Sequence, residues 1–107
     1  MSGGDSGGFG GATIPQRDCD DLAIRVRLSS VNEDALETII VSDILSIEIL
    51  ENSIVAKKDL LIVGSIASRE VVRLLECIKE GKVFIGTVLE VNEGKCIINI
   101  TPKRNII

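Results

Sequence analysis

Residues 82–102 read KVFIGTVLEVNEGKCIINITP, and this stretch decides the fold class. Lys82 to Val91 carries apolar side chains on both faces of an extended chain, as a long strand set well into a sheet does. Asn92-Glu93-Gly94-Lys95 supplies the turn residues of a hairpin. Cys96 to Thr101 forms the return strand, and Pro102 ends it because its ring removes a ladder donor.

Immediately upstream the period changes from two to 3.6. Val71, Leu74, Leu75 and Ile78 recur at i, i+3, i+4 and i+7, which predicts one helix from about Ser68 to Glu80. Ser68 is the expected N-cap, Glu70 places an anion in the first turn, and Gly81 supplies the stop.

Further upstream the chain returns to strand patterns. Leu22 to Ser30 alternates, with Leu22, Ile24, Val26 and Leu28 on one face and Ala23, Arg25, Arg27 and Ser29 on the other. Asn32 to Glu37 reads as a loop or single helical turn capped by Asn32, and Thr38 to Val41 as a short strand or the entry to one. Ile44 to Glu51 alternates again, with Leu45, Ile47 and Ile49 on one side. Glu51-Asn52 suits a tight turn into Ser53 to Ala56. Lys57-Lys58-Asp59 is expected to form the next turn, and Leu60 to Val63 a wholly apolar strand lying deep. Gly64 ends that strand where backbone approaches closely. The order β, β, β, β, α, β, β with short connections predicts a mainly β (α+β) domain. A small meander or barrel of about six strands with one helix near residues 68–80 removes exposed edges; an open sheet carrying the helix on one face is the alternative.

The chain of 107 residues suits one domain rather than two. With 17 Ile and 10 Val against 10 Leu, composition favours pleated surfaces over helices. Six of the ten glycines fall in residues 1–11, so residues 1–16 read as a flexible glycine-rich leader and an accessory contact in an assembly. Residues 17–107 form the expected single β-rich domain. The sequence has no His, Trp or Tyr, and its aromatics are Phe9 and Phe84. No unperturbed side chain therefore titrates near neutrality, and no imidazole is available to a metal, a triad or a proton shuttle. We expect no catalytic residues, no cofactor and no metal.

The net charge of −4 is unevenly spread. Residues 1–21 hold Asp5, Asp18, Asp20 and Asp21 against Arg17, which leaves residues 22–107 with 11 positive and 12 negative side chains. That is not the basic footprint of a protein that lives on phosphate backbones. Cys19, Cys77 and Cys96 lack paired zinc-ligand spacing, and their odd number argues against a closed disulfide framework. These features, with no signal-peptide pattern and no apolar run near the ~20 residues of a membrane span, point to a cytoplasmic protein without membrane contact.

From Asp43 to Pro102 the chain, with SDILSIEIL and later LLIVGSIASREVVRLLECIKEGKVFIGTVLEVNEGKCIINITP, resembles the HIRAN domain, a small barrel. The matching positions are Gly64, Ile66, Leu74, Gly81, Val88, Ile98 and Ile100, all framework residues. The resemblance implies binding of single-stranded DNA ends by aromatic stacking and basic contacts, whereas this chain has no Tyr or Trp to stack. The glycine-rich leader followed by CDDLAIRVRLSS also resembles a group of small uncharacterised bacterial proteins, which implies a bacterial origin.

Candidate chemistry is sparse. Asp18-Cys19-Asp20-Asp21 offers oxygens to a hard cation, but without the spaced ligand loop it reads as a solvated acidic turn. Flanking carboxylates raise a thiol pKa and disfavour Cys19 as a nucleophile. Cys77 and Cys96 read as core packing. Gly64 to Ser68 precedes a helix N-terminus yet lacks Walker spacing. Arg25, Arg27, Lys57 and Lys58, with Lys103-Arg104 beyond them and Phe84 as the one aromatic in the domain, are the candidate contacts to a partner or to nucleic acid. The reading is a non-enzymatic protein-binding or self-assembling accessory module, with protein as its partner, itself or a larger one. The alternative is a HIRAN-like or OB-like single-stranded nucleic-acid-binding domain.

Overall fold

The computed structural model describes residues 19–67, 69 and 71–103. After a helical turn at residues 19–21 come β1 (Ile24–Arg27), α1 (Glu33–Leu36), β2 (Ile44–Leu50), β3 (Ser53–Lys58), β4 (Leu61–Ile66), α2 (Val71–Lys79), β5 (Phe84–Asn92) and β6 (Lys95–Pro102). The leader expected at residues 1–16 lies outside the described residues, as do Ser68 and Glu70 at the start of the predicted helix.

The strands form one antiparallel sheet in the order β1-β6-β5-β2-β3-β4. It curls into a half-barrel. Just past β1, the Ser29 N–H donates to the Ser65 carbonyl and the Ser65 N–H to the Ser29 carbonyl, both at 2.8 Å. This pair ties the first strand's exit to the far edge of the sheet, as the barrel reading requires. Gly64 makes that approach feasible, since a Cβ there would sit 3.0 Å from both the Leu28 Cβ and the Ser29 carbonyl oxygen.

Alternation sets the inner face. Ile24 and Val26 of β1, Leu45 and Ile47 of β2, Ile54 and Ala56 of β3, Phe84 and Val88 of β5, and Cys96, Ile98 and Ile100 of β6 share one core with Leu74 and Cys77 of α2. Val71, Leu75 and Ile78 pack against its margin, as their helical spacing predicts. The helix ends at a left-handed glycine: Gly81 has φ +100, its N–H donates to the Ile78 carbonyl (2.9 Å), and the Lys82 N–H donates to the Cys77 carbonyl (3.1 Å). Asn32 caps α1, its Oδ1 accepting from the N–H groups of Asp34 and Ala35.

One expectation is narrowed and three need correction. Residues 38–41 are the entry to β2 and not a strand of their own, because the Ile40 N–H donates to the Asp43 carboxylate, the Asp43 N–H to the Ile40 carbonyl, and Ser42 takes φ +82. Lys57 and Lys58 belong to β3, and the reversal is moved to Asp59 and Leu60, with Asp59 at φ +56. The segment 60–63 is consequently not deep: Leu60 is 90% exposed at the turn, Leu61 and Ile62 are exposed at the start of the last strand in the sheet, and only Val63 is buried. Lastly, Cys19 and Cys77 form a disulfide with Cα atoms 5.7 Å apart, which fastens the turn at residues 19–21 to α2. The odd cysteine count reflects a third, free residue, Cys96, fully buried in β6, where burial pushes its thiol pKa up.

Candidate interaction surface

The five candidate contact residues do not converge. Arg25 and Arg27 point outward from β1, and Lys57 points outward from β3 opposite Ser46. Along the sheet, β6, β5 and β2 lie between β1 and β3. Lys58 is committed to structure, since its Nζ donates to the Thr38 carbonyl (2.7 Å) and to Asp43 Oδ2 (3.1 Å). Phe84 is 1% exposed in the core, so its ring is not presented to a base.

The sheet brings a different set together on its outer face. Ile44 lies opposite Thr87, and Ser46 opposite Ile85, so Ile44 has Ile85 as a diagonal neighbour across β2 and β5. The ladder is extended by the Ser42 N–H donating to the Val88 carbonyl (2.8 Å) and the Val88 N–H to the Asp43 carbonyl (2.9 Å). That places the 41–43 turn beside Leu89, the residue left unpaired by the bulge between Val88 and Glu90. Val41 (53%), Ile44 (54%) and Leu89 (41%) are all exposed. Below Ile44 and Ile85 is a shallow depression of about 400 Å³, whose lining includes Ser46, Lys57, Asp59 and Lys103.

Lys57 contacts Glu48 at 3.4 Å. No ion pair engages Arg25, Arg27 or Lys103 among the described residues. The stripe follows from segments that carry apolar residues on both faces, as Lys82 to Val91 is expected to do. Its signal was an apolar residue on the opposite parity: Ile44 beside Leu45, and Ile85 beside Phe84.

The remaining candidate residues are placed only in part by the described structure. Asp20 is held by Lys82 at 2.9 Å, Asp18 lies outside the described residues, and no group of three or more metal-binding side chains occurs among those described. Gly64 and Ser65 are strand residues, and the Ser65 N–H is already spent on Ser29. An anion could not use it. Comparison of the chain with protein-family models, with curated proteins and with solved structures gave no match.

Proposed function

We propose that this chain is a non-enzymatic protein-binding or self-assembling accessory module of a bacterial cell, with the outer face of the half-barrel as its contact surface. The observation that carries the reading is the exposure of Ile44 on β2 and Leu89 on β5, with exposed Val41 in the turn whose Ser42 and Asp43 bond to Val88. Contiguous apolar surface of this kind marks interaction sites, whereas scattered apolar residues do not. The absence of His from the sequence supports a binding rather than a catalytic role. No helix among the described residues is long and apolar enough to cross a membrane. The cytoplasmic part of the reading loses one support, since the Cys19–Cys77 bond is of a kind favoured by oxidising compartments. Alkylating thiols at the moment of cell lysis, then counting blocked cysteines, decides it.

The test of function compares the full chain with Ile44→Lys and Leu89→Lys by size-exclusion chromatography with light scattering at tens of micromolar, and by the proteins each retains from its native cells. The wild type should exceed its 11.5 kDa monomer mass or retain a partner that both variants lose with their circular dichroism unchanged. Identical monomers with identical retained proteins would overturn the reading.

A second reading, a HIRAN-like or OB-like binder of single-stranded nucleic acid, is favoured by Arg25 and Arg27, which point outward and have no ion pair among the described residues. Submicromolar binding of short single-stranded DNA, abolished when both arginines are replaced, would promote it.

A further inference from the structure

We propose that the chain pairs with a second copy of itself by reciprocal insertion: Leu60 of each copy enters the depression at Ile44 and Ile85 of the other, and the neighbouring Asp59 meets Lys103 there. This rests on the self-assembling form of the reading above and names the partner. Leu60 stands at the corner of the β3–β4 hairpin, where the reversal at Asp59 (φ +56) leaves it almost wholly in solvent. The shallow depression of about 400 Å³ has Ile44 of β2 and Ile85 of β5 in its lining, with Lys57, Asp59 and Lys103 around them. An apolar projection and an apolar recess therefore lie one residue apart, because Asp59 lines the recess and Leu60 follows it in the chain.

Bonds within the chain hold both parts ready. The Lys58 Nζ donates to the Thr38 carbonyl (2.7 Å) and to Asp43 Oδ2 (3.1 Å), and that same Oδ2 accepts from the Ile40 N–H (3.0 Å). The hairpin end is thus clasped to the turn that leads into β2, and exposed Ile40, Val41 and Leu61 add apolar surface beside Leu60. The Lys103 backbone is fixed by its N–H, which donates to the Val83 carbonyl at 2.7 Å. Parts already in place lose little freedom on binding. Charge identifies the partner. Asp59 and Lys103 line one depression, yet within a copy they form no ion pair with each other or with any described residue. The projection offers an aliphatic side chain beside a carboxylate, and the recess offers aliphatic side chains beside an ammonium. Each is the complement of the other and both belong to one patch, which is the condition for a two-fold contact in which residue i meets j and j meets i. An acidic peptide would satisfy Lys103 but leave Leu60 in water, and a nucleic-acid strand would lay unpaired phosphates over the isoleucines. A second copy covers projection and recess together.

The experiment follows the full chain by sedimentation velocity over a concentration series reaching the millimolar range. The wild type should pass reversibly from monomer to dimer and stop there, because a two-fold contact closes on itself. Leu60→Ala should weaken the dimer about a hundredfold, since each leucine side chain taken out of water carries about tenfold or more and the contact is made twice. Asp59→Lys and Lys103→Glu should each weaken it about tenfold, as two exposed ion pairs become like-charge contacts. Mixing these two variants should restore the dimer. The lysine introduced in one copy then faces the glutamate introduced in the other, while the second contact keeps its native pair; a role of either charge within its own chain would not be repaired by mixing. Circular dichroism should be unchanged for all three variants. A dimer that survives Leu60→Ala would overturn the insertion and leave the contact reading standing, as would a chain monomeric throughout that still retains a partner lost with Ile44→Lys. Weakened single variants that do not recover on mixing would overturn the match of Asp59 with Lys103. Assembly that grows past the dimer would overturn the two-fold arrangement. A monomer that retains nothing would remove both this inference and the reading it rests on.

Discussion

Reducing the Cys19–Cys77 bond should be a large perturbation of stability that removes no side-chain atom from the core to which both cysteines belong. The bond closes 58 residues of sequence, from the turn before β1 to the last turn of α2, and so spans four of the six strands. Chain-entropy theory gives about 14 cal/mol/K for a loop of this length, or about 4 kcal/mol at 25 °C. Domains of this size are stable by only about 5–15 kcal/mol, so reduction should move the protein a large part of the way to unfolding. Urea denaturation of the oxidised and reduced protein measures the difference directly. With a slope of about 1–3 kcal/mol per molar, the midpoint should fall by more than about 1 M. Cys19→Ala in the absence of reductant should reproduce the fall, since it removes the bond while leaving Cys77 in the core. Under denaturing conditions an alkylating reagent should label one thiol, Cys96, before reduction and three afterwards. A midpoint change corresponding to less than about 0.5 kcal/mol, the range of an ordinary surface change, would refute the claim that the bond constrains the fold.

Leu74→Ala, at a side chain fully buried in the core, should cost about 2–5 kcal/mol in the same urea assay. Gly64→Ala should cost about 1–3 kcal/mol, because its new methyl meets the Leu28 Cβ and the Ser29 carbonyl at 3.0 Å; hydrogen exchange should show the Ser29 and Ser65 amides losing protection first. Asp43 has its pKa lowered by the Ile40 N–H that donates to it and by Lys58. Its contribution is therefore present above the ordinary value of 3.8 and lost as pH falls through the lower folded value. Asp43→Asn should lower the melting temperature at neutral pH, and the gap from wild type should close only in strong acid. A gap independent of pH would mean that the carboxylate charge is not what holds the 38–43 turn.

Much of the inner face was legible because each strand declares it locally. Ile24, Val26 and Leu28 alternate with arginines, and Leu45 and Ile47 with polar residues, so the buried parity could be assigned from one segment at a time. The helix likewise announced its face and its stop at Gly81. What could not be read locally depended on contacts between distant segments. Cys19 and Cys77 are 58 residues apart, and only the folded arrangement of the first turn against α2 brings them together. Leu60 and Leu61 are as apolar as any core residue, yet the reversal at Asp59 and Leu60 leaves them at a corner. Arg25 and Lys57 share a face but are separated by the intervening strands β6, β5 and β2, a separation that follows from strand order rather than from sequence distance.

The bulge at Val88–Glu90 shows how such a local irregularity sorts charge from core. In a regular strand, successive side chains alternate, so with Phe84, Gly86 and Val88 facing inward the next inward residue would be Glu90. Its carboxylate would then be carried toward a core that contains no buried polar or charged residue among the described ones, a placement that costs several kcal/mol or forces protonation. By leaving Leu89 unpaired, the bulge sets Glu90 opposite Ile97 and Val91 opposite Cys96. Glu90 is thereby free to pair with Lys95 at 3.2 Å, and Val91 packs against the core. Leu89 is exposed, on the outward parity that alternation already gives it. The bulge thus reverses the parity of the strand beyond Leu89, which sends the charge outward and the valine inward.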